Sequence, residues 1–185
     1  MAGGRGERLR PLTDTVPKPM IKVAGRPILA HQLEMLHAQG IRKAVLCIGF
    51  LGEMIQKEFG NEAYGIKLEY SFDGEKLLGT GGAIRNAAAQ LTCGPDDPVI
   101  VLNGDVLSGV DLAELVAGHR ASGASVTLHL TRVDDPSAYG LVPTDDAGRV
   151  TAFLEKPTSA QELVTDQINA GCYVFRRSVI DAIPT

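Results

Sequence analysis

The sequence predicts an α/β domain with a Rossmann-like, doubly wound sheet that is mixed but mostly parallel. Segments with strand character and segments with helix character alternate over the first 130 residues, which is the arrangement of βαβ units. In addition, PVIVLNGD (98–105) is a continuous apolar run that ends in polar residues. Such a run is typical of a strand covered by helices on both faces.

The first half of the chain shows the clearest alternation. The helical spacing of Leu29, Leu33 and Leu36 predicts a helix, and Gly40 behind it is a candidate C-cap. The patterns that follow predict, in order, a strand over AVLCIGF (44–50), a helix over 52–59, a strand over IKLEYSF (66–72) and a helix over GGAIRNAAAQL (81–91).

The second half begins with the apolar strand 98–105 and a further helix. Asp111 with Glu114 resembles a capping box, and Leu112, Leu115 and Val116 supply an apolar face. The remaining predicted strands are SVTLHLTRV (125–133), RVTAFLE (149–155) and INAGCYVF (168–175).

Residues 1–185 are expected to form a single domain, because no repeat, low-complexity tract or linker interrupts them. A sheet that begins with a glycine loop should have a strand leading into that loop, and Met1 stands where this strand should end. We therefore expect a domain that lacks its first strand and its C-terminal part: either the sheet is one strand short, or the chain is a fragment or has a mis-set start.

Charge and composition exclude several classes of function. The net charge is −4, yet residues 1–26 hold six cationic residues against two carboxylates. An acidic protein with one local basic patch suits a small polyanion and not a nucleic acid, which would need a broad basic face. No apolar run is long enough for a membrane span, and three scattered cysteines are typical of reduced thiols in a cytoplasm.

Asn103, Gly104 and Asp105 follow the apolar strand directly, where open α/β sheets bind ligands. A carboxylate in this place can hold Mg²⁺, which prefers one or two carboxylates together with phosphate oxygens and water. The same three residues also have the composition of an ordinary turn. Both interpretations stay open at this point.

The opening MAGGRGERLRPLTDTVPKPM combines three glycines with arginines and a lysine between two prolines. Successive backbone amides of a glycine loop form a nest for phosphate groups, and Arg8 and Lys18 could neutralise their charge. The alternative is a mobile basic end. Pro17 and Pro19 argue against it, because they restrict the backbone on both sides of Lys18.

Three further segments carry polar residues at candidate ligand positions. GEKLLGTGGAIRNA (74–87) is a second glycine loop at a helix start, where free amides favour anions or base edges, although glycine there also serves close packing. FLEKP (153–157) places Glu155 beside Lys156, and INAG (168–171) sets Asn169 in an apolar strand. Each could equally be an exposed pair or a core amide with a partner.

Taken together, the motifs resemble one family over the whole chain. AGGRGERLRPLTDTVPKP, LLGTGGAIRNA, VLNGD, AYGLV, FLEKP and INAGCYVF occur in the order found in sugar-1-phosphate nucleotidylyltransferases. This resemblance implies a Rossmann-like domain that joins an NTP to a sugar 1-phosphate with Mg²⁺ and releases pyrophosphate. Its implied partners are these two substrates, without nucleic acid or membrane, and a homo-oligomer stays open.

The resemblance also implies roles for particular residues. Arg8, Lys18 and Asp105 are the implied catalytic residues, and Asp105 is the implied ligand of Mg²⁺ beside the α-phosphate. The implied nucleotide-binding residues are Gly3, Gly4, Arg5, Gly6, Gly81, Gly82 and Asn103. The implied residues for the sugar phosphate are Gly140, Glu155, Lys156 and Asn169. The second metal-binding aspartate of the family would fall beyond residue 185.

LGTGGA (78–83) is more similar to the loop of guanylyl-transferring members than to that of thymidylyl-transferring ones, whose glutamine is expected to pair with thymine. GTP and mannose 1-phosphate are therefore the predicted substrates, with uridylyl or thymidylyl transfer to another hexose, heptose or amino-sugar phosphate as alternatives. A non-catalytic, nucleotide-sugar-binding subunit is an alternative of another class. A dehydrogenase is disfavoured, because residues 22–26 lack the acidic residue that its dinucleotide fingerprint requires.

Overall fold

The computed structural model describes residues 1–74, 77–155 and 163–184, and strands and helices alternate within them. The strands are β1 (Lys22–Val23), β2 (Arg26–Pro27), β3 (Lys43–Ile48), β4 (Glu62–Ala63), β5 (Ile66–Phe72), β6 (Pro98–Leu102), β7 (Val126–Arg132) and β8 (Gln167–Arg176). The α-helices are α1 (Ile28–Ala38), α2 (Gly52–Phe59), α3 (Gly79–Asn86), α4 (Leu112–Ser122) and α5 (Arg177–Asp181). None of these helices has the length and apolar character of a membrane span. The predicted α/β class is confirmed.

The strands form two three-stranded sheets and a small hairpin. β3, β5 and β4 lie in that order, with β3 and β5 parallel and β4 antiparallel to β5. β8 lies between β6 and β7 and is antiparallel to both. The hairpin pairs β1 with β2. The sheet is therefore mixed, and its antiparallel pairs are concentrated around β8.

Residues Met1 to Gly3 join the two larger sheets at one end. Ala2 forms a parallel bridge with Ile48, and its amide donates to the carbonyl of Cys47 at 2.8 Å. On the other side the Met1 ammonium donates to the Leu102 carbonyl at 2.5 Å, and the Gly104 amide donates to the Met1 carbonyl at 2.6 Å. This pair of bonds is the pattern of a parallel ladder, so β3 and β6 are near-neighbours that run in the same direction.

The core lies on both faces of the sheet. Leu46 and Ile48 of β3 pack with Leu33 of α1 and Ile55 of α2, whereas Cys47 between them belongs to a cluster with helix α3 on the opposite face. This alternation follows from the two-residue period of a strand. Residues from α3, β6 and α5 extend the second face: Ile84, Val101 and Ile180. The doubly wound arrangement is confirmed.

Most local predictions agree with the structure. The helix over 52–59 is α2, and the strands predicted over 44–50, 66–72, 125–133 and 168–175 are β3, β5, β7 and β8. Gly40 follows the end of α1 with a φ of 86°, the left-handed conformation expected of a helix-ending glycine. The Asp111 carboxylate accepts from the Glu114 amide at 2.9 Å and caps α4.

The strand predicted over residues 149–155 is wrong. This segment follows a turn at Asp145 to Gly148 and makes only isolated bridges, from Val150 to Thr144 and from Leu154 to Leu141. Phe153 is 66% exposed, and Val150, Ala152 and Leu154 are only half-buried. Without a second neighbouring strand or a buried face, strand-forming residues do not extend a ladder.

Candidate active site

The opening glycine loop follows directly from the strand-like residues Met1 to Gly3. Gly6 has a φ of 63°, and a Cβ there would lie 2.9 Å from the Thr13 side chain. Thr13 is 1% exposed and its hydroxyl donates to the Gly6 carbonyl at 2.9 Å. The buried threonine therefore folds the loop back on itself, and glycine is required at position 6 both by conformation and by space.

Lys18 is held in a fixed place behind this loop. Pro17 and Pro19 on either side of it are buried, and the Lys18 ammonium lies 2.5 Å from Oδ2 of Asp105. Both side chains stay about one-third exposed, at 35% and 31%. The structure thus brings together the two charged residues that the sequence placed 87 positions apart, and the mobile-end alternative for Pro17 to Pro19 does not apply.

The turn from Asn103 to Asp105 is fixed by backbone contacts on two sides. The Asn103 amide donates to the Gly171 carbonyl at 2.8 Å, and a Cβ on Gly104 would lie 2.5 Å from the Met1 carbonyl oxygen. Only glycine fits at position 104. Asp105 therefore emerges at the carboxyl end of β6, directly beside the start of the glycine loop.

Gln32 of α1 is a site residue that the sequence analysis missed. Its side-chain amide donates to the carbonyls of Asn103 at 2.8 Å and Val106 at 2.5 Å, and it is 3% exposed. It thus holds both ends of the turn that carries Asp105. Its only mark in the sequence is its place between Leu29 and Leu33 on the apolar face of the helix, which does not indicate what the amide contacts.

The second glycine loop opens helix α3 as predicted, with Gly79 at a φ of 70°. Gly79 and Thr80 line the cleft in front of the first loop. Gly81 and Gly82, the next two residues of the helix, do not line it, although Ala83 after them does. A Cβ on Gly82 would approach Cβ of Leu78 to 2.9 Å, so this glycine serves local packing.

Asp73 connects the two glycine loops. Its Oδ2 accepts from the Leu78 amide at 3.3 Å and lies 3.1 Å from the position a Cβ on Gly3 would take. Burial raises the pKa of this carboxyl. Asp73 follows β5 and lies at the same sheet edge as Asp105, where it lines the shared cleft.

These elements enclose one cleft, which we call the glycine-loop cleft. Its volume is about 340 Å³, and its wall includes Gly3, Gly4, Gly6, Lys18, Gly79 and Asp105. Arg5 and Arg8 lie outside this wall and are exposed, and the Arg5 guanidinium lies 5.6 Å from the centre of the Phe50 ring. In residues 1–74, 77–155 and 163–184, no group of three or more acidic, histidine or cysteine side chains is arranged to hold a metal.

The predicted sugar-phosphate residues converge around one set of backbone bridges. Leu141 bridges both Leu154 and Ile168, so the residues next to these three, Gly140, Glu155 and Asn169, come close together. The Asn169 amide donates to the Tyr173 hydroxyl at 2.7 Å. Lys156 lies outside the described residues.

Asn103 links this group to the glycine-loop cleft. A Cβ on Gly171 would lie 2.9 Å from Nδ2 of Asn103, and Asn169 accepts from the Gly171 amide at 2.9 Å. The two predicted halves of the site therefore meet across the pair of β6 and β8, which brings them to one edge of the sheet.

Comparison with known proteins agrees with this geometry. The chain is 51% identical over 185 residues to mannose-1-phosphate guanylyltransferase of Mycobacterium tuberculosis (strain ATCC 25618 / H37Rv), with coverage of 100% of this chain and 50% of that protein. It is 42% identical over 185 residues to mannose-1-phosphate guanylyltransferase catalytic subunit beta of Drosophila pseudoobscura pseudoobscura, with coverage of 99% and 48%. The chain spans about half the length of these curated relatives.

A solved structure gives the same result. HddC from Yersinia pseudotuberculosis, complexed with GMP-PN, matches with a TM-score of 0.84 and 28% identity, covering 100% of this chain and 78% of that one. The family model described as nucleotidyl transferase matches residues 1–184. The resemblance found in the sequence motifs is thereby confirmed, and the chain belongs to the nucleotidyl transferase family.

Proposed function

We propose that this chain forms the catalytic core of an enzyme that transfers a guanylyl group from GTP to mannose 1-phosphate. The observation that carries the proposal is the convergence of Lys18 and Asp105 at the glycine loop, within a single cleft. A cation, a carboxylate and a nest of amides are the groups that phosphoryl transfer requires. The names of the two curated relatives support this choice of substrates.

In this reaction an oxygen of the sugar phosphate attacks the α-phosphorus of the nucleotide. The bond from the α-phosphorus to the bridging oxygen of the β-phosphate breaks, and pyrophosphate leaves with that electron pair. No nucleophile from the protein is needed. The work of the protein is to position two polyanions and to neutralise the charge that develops.

The residues of the glycine-loop cleft fit these tasks. The loop from Gly3 to Gly6 would cradle the phosphates, and Lys18 with Arg8 would neutralise the leaving pyrophosphate. Asp105 fits a Mg²⁺ ligand, since this ion takes one or two carboxylates and completes its shell with phosphate oxygens and water. When bound, Mg²⁺ would act as a Lewis acid on the phosphate oxygens.

The group around Gly140, Glu155 and Asn169 would receive the sugar. Glu155 and Asn169 are exposed, and carboxylate and amide side chains suit the hydroxyls of a hexose. We include Lys156 as the cation for the sugar phosphate on the basis of the sequence resemblance. Gly81 and Gly82 are included for the base with Asn103 on the same basis.

Guanine is favoured over the other bases. HddC, 28% identical to this chain, is complexed with GMP-PN, and both curated relatives are named guanylyltransferases. Uridylyl or thymidylyl transfer is the alternative that substrate testing must exclude. A cytoplasmic location is also proposed, supported by three free cysteines.

The test is a pyrophosphate-release assay on the full-length protein that carries this chain, with each NTP crossed against a panel of sugar 1-phosphates. Asp105→Asn should lower kcat by two orders of magnitude or more, because a lost metal contact in the transition state costs about 3 kcal/mol or more. Asp96→Asn is the matched control: Asp96 is exposed and precedes the opposite end of the same strand.

The two variants distinguish a catalytic from a structural carboxylate. We expect both to melt within a few degrees of the parent protein, with only Asp105→Asn inactive. Near-normal Mg²⁺-dependent turnover in Asp105→Asn would refute the metal assignment. Nucleotide-sugar binding without any release of pyrophosphate, for every substrate pair, would instead identify a non-catalytic binding subunit.

A further inference from the structure

The side-chain amide of Asn169 is held at both of its ends. Its Oδ1 accepts from the Gly171 amide at 2.9 Å, and its Nδ2 donates to the Tyr173 hydroxyl at 2.7 Å. The backbone amide of Gly171 can only donate, so it determines which end of the Asn169 side chain is the oxygen. Nδ2 therefore faces Tyr173, and the tyrosine oxygen is the acceptor.

A bulge in β8 brings these two side chains together. β7 pairs His129 with Cys172 but its next residue, Leu130, with Asn169, so β8 carries extra residues at this point. Gly171 lies among them with a φ of 70°. In a regular strand, residues four positions apart are separated by about 13 Å, and the bulge shortens this distance. Bulges beside active sites commonly redirect a side chain in this way.

The ring of Tyr173 is anchored in the core and not in the site. It packs against the cluster that contains Ile84 of α3 and Ile180 of α5, and its centre lies 6.2 Å from that of the Phe175 ring. A tyrosine suits a position where the core meets a wet cleft, because its body is apolar and its end is polar. The hydroxyl is thus a fixed point that holds the exposed Asn169.

Asn169 keeps one donor and one acceptor for a ligand. A side-chain amide has two N–H donors and two lone pairs on its oxygen, and Tyr173 and Gly171 use one of each. A sugar hydroxyl both donates and accepts, so the remaining N–H and lone pair suit one hydroxyl or two neighbouring ones. An amide without these two partners could turn over and exchange its donor for its acceptor.

We propose that Tyr173 is a positioning residue for sugar recognition: its hydroxyl holds the Asn169 amide in one orientation, so that the remaining N–H and lone pair keep fixed places for the sugar hydroxyls. The inference rests on the proposed function, in which Asn169 contacts the sugar. Tyr173 acts through Asn169, and the nucleotide half of the cleft does not depend on it.

The test is Tyr173→Phe in the full-length protein that carries this chain, assayed with the sugar 1-phosphate that the parent uses best. The variant keeps the ring in its cluster, so its melting temperature should stay near the parent value. The KM for the sugar 1-phosphate should rise roughly threefold to tenfold, as expected for the loss of one neutral hydrogen bond. The KM for the NTP and kcat should stay close to the parent values.

Tyr70→Phe is the matched control. The Tyr70 hydroxyl also makes a hydrogen bond, to the Gly60 carbonyl at 2.5 Å, but Tyr70 belongs to β5 of the other three-stranded sheet. This variant should leave kcat and both KM values unchanged. A similar rise in Tyr70→Phe, or a rise of the KM for both substrates in Tyr173→Phe, would indicate a general effect on packing and overturn the proposal.

A double-mutant cycle with Asn169→Ala separates positioning from direct contact. If Tyr173 acts only through Asn169, Tyr173→Phe should have no further effect on the KM for the sugar 1-phosphate once Asn169 is alanine. Effects that multiply would mean that Tyr173 touches the sugar itself, and the positioning role would be wrong.

The outcomes also separate this inference from the proposed function. A parent protein that releases pyrophosphate with no sugar 1-phosphate would refute both. An active parent whose KM for the sugar 1-phosphate is the same in Tyr173→Phe would overturn only the role of Tyr173.

Discussion

At the scale of single residues, the site depends on a contact that admits no side chain. The Gly104 amide donates to the Met1 carbonyl at 2.6 Å, and a Cβ there would lie 2.5 Å from the same oxygen. Gly104→Ala should therefore push Met1 away from the end of β6 and displace Asp105. We expect a loss of about 1–3 kcal/mol in the free energy of unfolding, as for other overpacked positions, measured by urea denaturation.

Gly109→Ala is the matched control for this substitution. Gly109 lies in the loop after β6, and a Cβ there would meet no atom within 4 Å. Its unfolding free energy should stay within about 0.5 kcal/mol of the parent value. An equal loss in both variants would mean that the loop backbone, and not the contact with Met1, determines the cost.

Gln32 offers a second test at this scale. Gln32→Leu keeps the volume of the side chain but removes the donor to the carbonyls of Asn103 and Val106. We expect a destabilisation of about 1–3 kcal/mol, since buried acceptors lose their partner. Nucleotide affinity, measured by titration calorimetry, should fall as well, because the turn that carries Asp105 loosens.

The exposed Gln56 of α2 provides the comparison. Gln56→Leu should leave both stability and nucleotide affinity nearly unchanged. If Gln32→Leu lost stability but bound nucleotide normally, Gln32 would be a core residue without influence on the site.

The charged residues of the candidate site could be recognised in the sequence from their immediate neighbours. Lys18 between two prolines and Asp105 after an apolar strand were both recognisable in this way. Gln32 was not, since a single amide on an apolar helix face gives no information on what it contacts. Its partners are backbone carbonyls 71 and 74 positions away, and only the tertiary structure brings them together.

At the scale of elements, a side-chain cap fixes the N-terminus of α4. Asp111 accepts from the Glu114 amide at 2.9 Å. Asp111→Ala removes this cap and should cost about 1 kcal/mol of unfolding free energy, whereas Asp111→Asn should cost much less because asparagine is an equally good N-cap. Thermal and urea unfolding of the pair provide the measurement. Equal losses would point to the negative charge near the helix end as the main contribution.

Elements were predictable where local pattern and tertiary environment agree. α2 carries a helical periodicity and buries Gly52, Ile55 and Phe59 as that periodicity requires, and the apolar runs of β3 and β6 form strands in the sheet. Residues 149–155 carry a strand pattern as well, but the segment has one partner segment, residues 141–144, and no fully buried side chain. Local composition cannot report the absence of a neighbour, which is why this strand prediction was wrong.

At the scale of the whole molecule, stability should depend on pH through His119. This residue is 5% exposed, its Nδ1 lies 2.8 Å from the Thr127 hydroxyl, and burial, followed by Arg176 and Arg120, lowers its pKa. The unfolded chain therefore binds this proton first as the pH falls. The contribution of neutral His119 is complete above its ordinary pKa of 6.5 and is lost as the pH falls towards the lowered value.

Urea denaturation of the parent and His119→Gln between pH 5 and 8 would measure this dependence. The free energy of unfolding of the parent should fall on the acid side of this range, and the variant should show a smaller slope. His37→Gln removes an exposed imidazole and should keep the parent slope. Identical slopes in the parent and His119→Gln would contradict the assignment.

The overall topology was predictable only in part. Alternation of strands and helices indicated parallel pairs, and β3 with β5 is such a pair. β8 comes from the last part of the chain, where the alternation has ended, and it inserts antiparallel between β6 and β7. Periodicity reports which residues are buried but not the order of strands in a sheet.

The ion pair between Lys18 and Asp105 has a consequence for how fast a ligand arrives. Because these two charges lie 2.5 Å apart, their fields largely cancel at a distance of a Debye length. Arg10 is likewise paired, with Asp14 at 3.2 Å, so long-range attraction of a phosphate compound must then come from the exposed Arg5 and Arg8 of the opening loop. Association from solution and retention in the cleft thus depend on different cations. Added salt should slow association. Retention depends on how readily Lys18 exchanges its carboxylate partner for a phosphate.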